Sequence, residues 1–190
     1  MASPIHVLAI AGSLRTASYN KRLIQVAGEL LPAGMTMETF DLAPLPMYNE
    51  DLVRESGYPE SVRHLHARLA ASDALLISTP EYCFSIPGVL KNAIDWASVR
   101  TADGQISPLN DKPMAIMGGG GRLGTARAQL HLREIVLHNN VHVLNAPQVY
   151  VIGVRNHFDQ EGNLIDPATR DQIGQLMTAL AAWTRQLRGH

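Results

Sequence analysis

Apolar and polar positions along this chain follow two periods in turn, and the switch between them recurs from one end to the other. The apolar stretch Ile5 to Ala11 reads as a buried strand. Leu23, Ile24, Ala27, Leu30 and Leu31 then fall on one face of a helix, the spacing of an amphipathic stripe. After Pro32 and Gly34, Met35 to Phe40 reads as a second strand. Pro59 to Ser72 is helical, with Val62, Leu65, His66, Leu69 and Ala70 inward. Ala74 to Thr79 is continuously apolar, as in a strand buried on both faces. Pro87 opens a helix lined by Leu90, Ala93, Ile94 and Ala97. Met114 to Met117 is a further central strand, running into four glycines. Thr125 to Leu137 is a helix, and Val141 to Leu144 and Val149 to Val154 are late strand segments. Asp166-Pro167 starts a final helix on which Ile173, Leu176, Met177, Leu180 and Leu187 share a stripe.

Strict alternation of apolar strands and amphipathic helices predicts a parallel sheet with helices on both faces. About five strands in one α/β domain spanning residues 1–190 predict the flavodoxin-like order 2-1-3-4-5. In such sheets a ligand sits beyond the carboxyl ends of the strands, where the order reverses. Three unusual segments, Gly12–Asn20, Pro80–Pro87 and Gly118–Gly124, all follow strand ends and so meet on one rim.

The first of these, GSLRTASYN, suits a bound phosphate. The N–H groups of a helix start are unpaired and carry partial positive charge. Ser13, Thr16 and Ser18 add hydroxyls, and Arg15 adds a charge-assisted donor pair. The segment lacks the lysine of GxxxxGKS/T and the third glycine of GxGxxG, which favours a monophosphate, and so flavin mononucleotide (FMN), over a nucleoside triphosphate or dinucleotide. The competing reading is a serine-capped helix start with an exposed arginine.

Composition narrows the class. The 190 residues are 46% apolar and 17% charged, with 16 basic against 17 acidic side chains. That is a globular balance without the basic cluster of a nucleic-acid surface. The single cysteine, Cys83, allows no disulfide within the chain. With no signal-peptide pattern and no membrane-length apolar run, a soluble, cytoplasmic protein is expected. The eight histidines show no HExxH or Cys–His spacing, so no metal site is expected, and no GxSxG motif points to a hydrolase.

Three stretches together resemble the NADPH-dependent FMN reductases, in particular the branch that reduces quinones and chromate: GSLRTASYN, PEYCFSIPGVLKNAIDWAS (Pro80 to Ser98) and GGGGRLGTARAQLHLR (Gly118 to Arg133). Pro46 to Asp51 is also similar to that family's P-x-Y-N-x-D. The resemblance implies a flavodoxin-like fold with noncovalent FMN, NADPH or NADH as cosubstrate, a small electron acceptor such as a quinone, and a homodimer or homotetramer. It places the phosphate contacts on Ser13, Arg15, Thr16, Ser18 and Asn20. It places the ring contacts on Pro80, Glu81, Tyr82 and Cys83 and on the turn Gly118, Gly119, Gly120 and Gly121. No side chain is assigned a catalytic role, because the flavin carries the chemistry. Arg122 and Arg127 are candidates for a nicotinamide 2′-phosphate.

This chain departs from that pattern in having Cys83 for an asparagine and Gly118 and Gly119 for serine. Cys83 is read as a small apolar filler rather than a redox-sensitive thiol. Glycines 118–121 are expected to clear space for flat rings. The helix from Thr125 carries apolar residues on more than one face, which predicts a subunit interface or unusually deep burial. A flavin reductase that releases its product, and a flavodoxin-type electron carrier, are the alternative functions. Near-neutral charge counts against a carrier, since carriers dock through strong acidity.

Overall fold

The computed structural model describes residues 3–189. Six parallel strands form one sheet: β1 (Ile5–Ala11), β2 (Met35–Phe40), β3 (Ala74–Ser78), β4 (Pro113–Gly120), β5 (His142–Val143) and β6 (Val149–Ile152). The order is β2-β1-β3-β4-β5, with β6 also paired to β4. β5 lies beside Pro113 and Met114, whereas β6 runs beside Met117 to Gly120. Two short strands therefore share the fifth position of the sheet.

Period-two alternation within the strands explains the layers. Leu8, Ile10, Leu75, Ile77, Met114 and Ile116 face one cluster, closed by α3 (Glu60–Ala71), α4 (Gly88–Ser98) and α5 (Ala126–Val136). Val7, Ala9, Ala74, Leu76, Ala115 and Met117 face the other, closed by α1 (Tyr19–Glu29) and α6 (Pro167–Arg188). β3 is buried along its whole length, as its continuous apolar run requires. Asp166 caps α6, accepting a hydrogen bond from the Thr169 N–H at 2.7 Å.

The structure corrects several boundaries. α1 ends at Glu29, and Leu30 and Leu31 pack on the core from the turn beyond it. Ala70 is exposed, and Leu187 only half-buried. β5 has two residues rather than four. β4 continues through three glycines. A side chain at Gly118 would strike the Thr79 carbonyl and the Thr125 hydroxyl, and a Cβ at Gly119 would lie 2.5 Å from Val154. Close packing, rather than strand propensity, fixes glycine there. A short helix, α2 (Glu50–Ser56), stands where the sequence pattern assigns no element. It has no buried residue, so no apolar stripe announced it, and Asn49 caps it by accepting from the Asp51 N–H at 3.0 Å.

The P-x-Y-N-x-D segment is a clasp. The Pro46 carbonyl accepts from the Asn92 amide at 2.9 Å and the Trp96 indole N–H at 2.8 Å. The Asn92 side-chain oxygen accepts from the Tyr48 N–H at 2.7 Å. Asn92 and Trp96 stand one turn apart on α4, so their spacing in KNAIDW is what lets both reach one carbonyl.

Candidate functional site

A cleft of about 340 Å³ opens at the carboxyl rim of the sheet, within the ~300–1,000 Å³ range of small-molecule sites. Its walls bring together Ser13, Arg15, Ser18 and Asn20 from the β1–α1 turn, Pro80, Glu81 and Tyr82 after β3, and Gly119, Gly120 and Gly121 at the end of β4. Thr16 and Cys83 are exposed outside it, and Gly118 is buried in the sheet. A fourth turn, Gly153 to Asn156 after β6, completes the wall together with Tyr19. Sequence reading missed it because Gly-Val-Arg-Asn matches no motif. The available signal was its place after a late strand, the same rule that located the other three.

At the α1 end the cleft presents uncommitted hydrogen-bond donors. Ser18 is the N-cap residue, yet its hydroxyl makes no capping bond, and the first turn of α1 holds no acidic residue. The first-turn N–H groups and the Ser18 hydroxyl are thus left for a ligand. Arg15 is exposed, and its guanidinium has no hydrogen bond or ion pair among the described residues.

Asn20 is bonded within the chain. It is buried, and its Oδ1 accepts from the Gly119 N–H and from the Ser78 hydroxyl, both at 3.0 Å. Its Nδ2 donates to the Gly119 carbonyl at 3.0 Å. One amide therefore stitches α1 to the ends of β3 and β4.

The Pro80–Ser85 segment is a tight hairpin. Tyr82 and Ser85 exchange both backbone hydrogen bonds at 3.0 Å. The two corner residues, Cys83 (φ 50°) and Phe84 (φ 63°), are left-handed, as in a type I′ turn. Asparagine adopts this conformation readily and cysteine does not, which explains an asparagine at this position in the family's pattern. Cys83→Asn should therefore raise stability by about 1 kcal/mol, since a left-handed non-glycine residue costs roughly 1–2 kcal/mol. Thermal unfolding checks this, and a lower melting temperature contradicts it.

Three contacts fasten this hairpin to α5. The Glu81 carboxylate accepts from the Arg127 and Ala128 N–H groups at 2.9 and 3.1 Å. The Arg127 guanidinium lies 4.1 Å from the Phe84 ring centroid. The Ser85 hydroxyl pairs with His131 Nδ1 at 3.1 Å. Glu81 thus does the capping that Thr125, left-handed at φ 74°, does not.

The expectation that four glycines clear space for rings is corrected. Thr125, Val154 and Leu23 fill the volume beside Gly118, Gly119 and Gly120, and only Gly121 has nothing within 4 Å of a Cβ position. Uncommitted donors at the α1 end, open backbone at Gly121 and the half-exposed Tyr82 on the same cleft wall have the chemistry to receive a phosphate joined to a flat ring. No cluster of potential metal ligands occurs among the described residues, and none of their helices is long and apolar enough to cross a membrane.

A parallel 2-1-3-4-5 sheet with an added strand, helices on both faces and a cleft at the order reversal defines a flavodoxin-like α/β protein. It superposes on the flavoenzyme NAD(P)H:(acceptor) oxidoreductase FerB from Paracoccus denitrificans with a TM-score of 0.84, at 33% identity over 96% of this chain and 98% of that one. The chain belongs to the NADPH-dependent FMN reductase family, whose model matches residues 5–155. It is 47% identical over the full length of both chains to an NAD(P)H-dependent FMN reductase of Pseudomonas aeruginosa. It is 35% identical to a quinone reductase of Escherichia coli K12, over 99% of this chain and 100% of that one. It is therefore an oxidoreductase using FMN and a reduced nicotinamide nucleotide, of the FMN reductase and quinone reductase kind.

Proposed function

We propose that the chain retains FMN in the rim cleft and passes electrons from NADPH to quinones or similar small acceptors, including chromate, azo or nitro compounds. The observation that carries this reading is the meeting of the β1–α1 turn, the Pro80–Tyr82 wall and Gly121 in one cleft. When bound, FMN would supply the redox chemistry of hydride acceptance from the nicotinamide and electron-pair delivery to the acceptor. The protein supplies binding and orientation. Ser13, Arg15 and Ser18 hold the phosphate, with Asn20 fixing the turn they stand on. The backbone of Pro80, Glu81 and Tyr82 and of Gly119 to Gly121 holds the ring edge. Glu81 is assigned no proton-transfer role, since its Oε2 caps α5 and the flavin carries the chemistry.

One cleft serves both substrates, so they should bind in turn. Purified holoprotein should be yellow and release FMN on denaturation. Initial-rate plots with NADPH and a quinone should give parallel lines. Protein reduced by NADPH without oxygen should be reoxidised by a quinone with no nicotinamide present. Intersecting lines with a demonstrated ternary complex would show the shared-site cycle to be wrong. FMN lost through gel filtration would point instead to a reductase that releases its flavin.

The assembly proposed is a homodimer or homotetramer in the cytoplasm, formed through the outer side of α5. Ala128, Leu132 and Val136 of that helix enter the core, while Leu130 and Leu137, seven residues apart, stay 60% and 71% exposed. A second copy would cover them. Light scattering should show an oligomer at micromolar concentration that Leu130→Glu dissociates, and a monomeric wild type defeats the assembly.

A further inference from the structure

The turn that sequence reading missed carries a second uncommitted guanidinium. Arg155 lies on the cleft wall with Arg15, is exposed, and has no hydrogen bond or ion pair among the described residues. Its turn is held rigidly against the start of α1. The Tyr19 and Phe158 rings stand 5.2 Å apart. The Arg22 guanidinium donates to the Gly162 carbonyl at 2.8 Å and the Glu161 carbonyl at 3.2 Å. Val154 packs beside Gly119 together with Leu23 of α1. At its other end, the Gly153 N–H donates to the Gly121 carbonyl at 3.0 Å. Residues 153–162 are thus a second lip of the phosphate turn. The one carboxylate on the cleft wall, Glu81, is engaged by the backbone of α5, so neither arginine has an acidic partner there.

We infer that Arg155 is the second arm of a two-arginine clamp on the FMN phosphate, closing on it from the β6–α6 turn while Arg15 holds it from the β1–α1 turn. The inference rests on the proposal that FMN occupies this cleft. A dianionic phosphate has acceptor oxygens enough for two planar guanidinium forks, and each fork adds charge-assisted hydrogen bonds that a neutral side chain cannot. The clamp is specific for the phosphate: riboflavin, which has the same ring and no phosphate, gains nothing from Arg155.

The test is flavin retention by the holoprotein. Wild type, Arg15→Ala and Arg155→Ala are loaded with FMN, or exchanged into riboflavin, and diluted serially, and fluorescence of the released flavin yields Kd. Arg155→Ala should raise the Kd for FMN roughly tenfold to hundredfold, as loss of a charge-assisted contact does, and leave that for riboflavin within about twofold. The FMN Kd of wild type should also rise more steeply with NaCl than that of Arg155→Ala, because one screened ion contact is gone. Equal losses for both flavins would assign Arg155 to the shape of the turn and overturn the clamp. An unchanged FMN Kd overturns it too, including one accompanied by a raised KM for NADPH, which would move Arg155 to the nicotinamide nucleotide. Weakening in Arg15→Ala but not Arg155→Ala removes the clamp and leaves FMN in the cleft. A wild type that retains neither flavin overturns the FMN reading itself.

Discussion

Replacing Arg15 by alanine should cost ten- to hundredfold in FMN affinity and almost nothing in the stability of the flavin-free fold. The side chain is exposed and uncommitted among the described residues, so its removal breaks nothing within the protein. A charge-assisted hydrogen bond to phosphate contributes about 1.5–3 kcal/mol, which corresponds to that range of affinity. Flavin titration and thermal unfolding of the same preparation separate the two quantities. An affinity equal to wild type would remove Arg15 from the phosphate site.

Asn20→Ala should show the opposite balance. It deletes three buried hydrogen bonds and leaves the Gly119 N–H without its acceptor at the end of β4. Stranding a buried donor and losing the accompanying bonds costs roughly 2–4 kcal/mol. At ~2–4 °C per kcal/mol for a chain this size, the melting temperature should fall by roughly 5–15 °C. FMN affinity should fall too, because Gly119 to Gly121 lose their anchor. A full loss of affinity with an unchanged melting temperature would make Asn20 a direct ligand contact rather than a stitch.

The contrast between these residues shows where sequence reading reaches its limit. β1, β2 and α4 were legible nearly to the residue, because apolar runs of strand length and a helical stripe are bounded there by glycine and proline. β4 was legible only up to Met117. Glycine is scarce in strands, and nothing local reveals that Thr125 and Val154 will occupy the space of its missing side chains. α2 was invisible because it buries nothing. Three of the four rim turns stood out by composition, whereas Gly153–Asn156 was ordinary in composition and decisive only in position. Asn20 was read as a phosphate contact, and its amide is bonded within the chain to Gly119 and Ser78. An amide that donates and accepts looks the same whether it serves a phosphate or a neighbouring strand, and only long-range contact tells them apart.

The capping of α5 by Glu81 has an electrical consequence. A helix N-terminus carries about half a positive elementary charge. Two such termini border the hairpin and the β1–α1 turn, but they are treated unequally. At α5 the Glu81 carboxylate lies against the first N–H groups and cancels their potential locally. At α1 no acidic side chain enters the first turn, and the potential there is reinforced by Arg15. The two ends of the cleft therefore differ, an uncapped helix start with a free arginine at one and a carboxylate-capped helix start at the other. A molecule with a charged tail and an uncharged aromatic head has a single favourable orientation between them. It is aligned before any hydrogen bond to the ring is made.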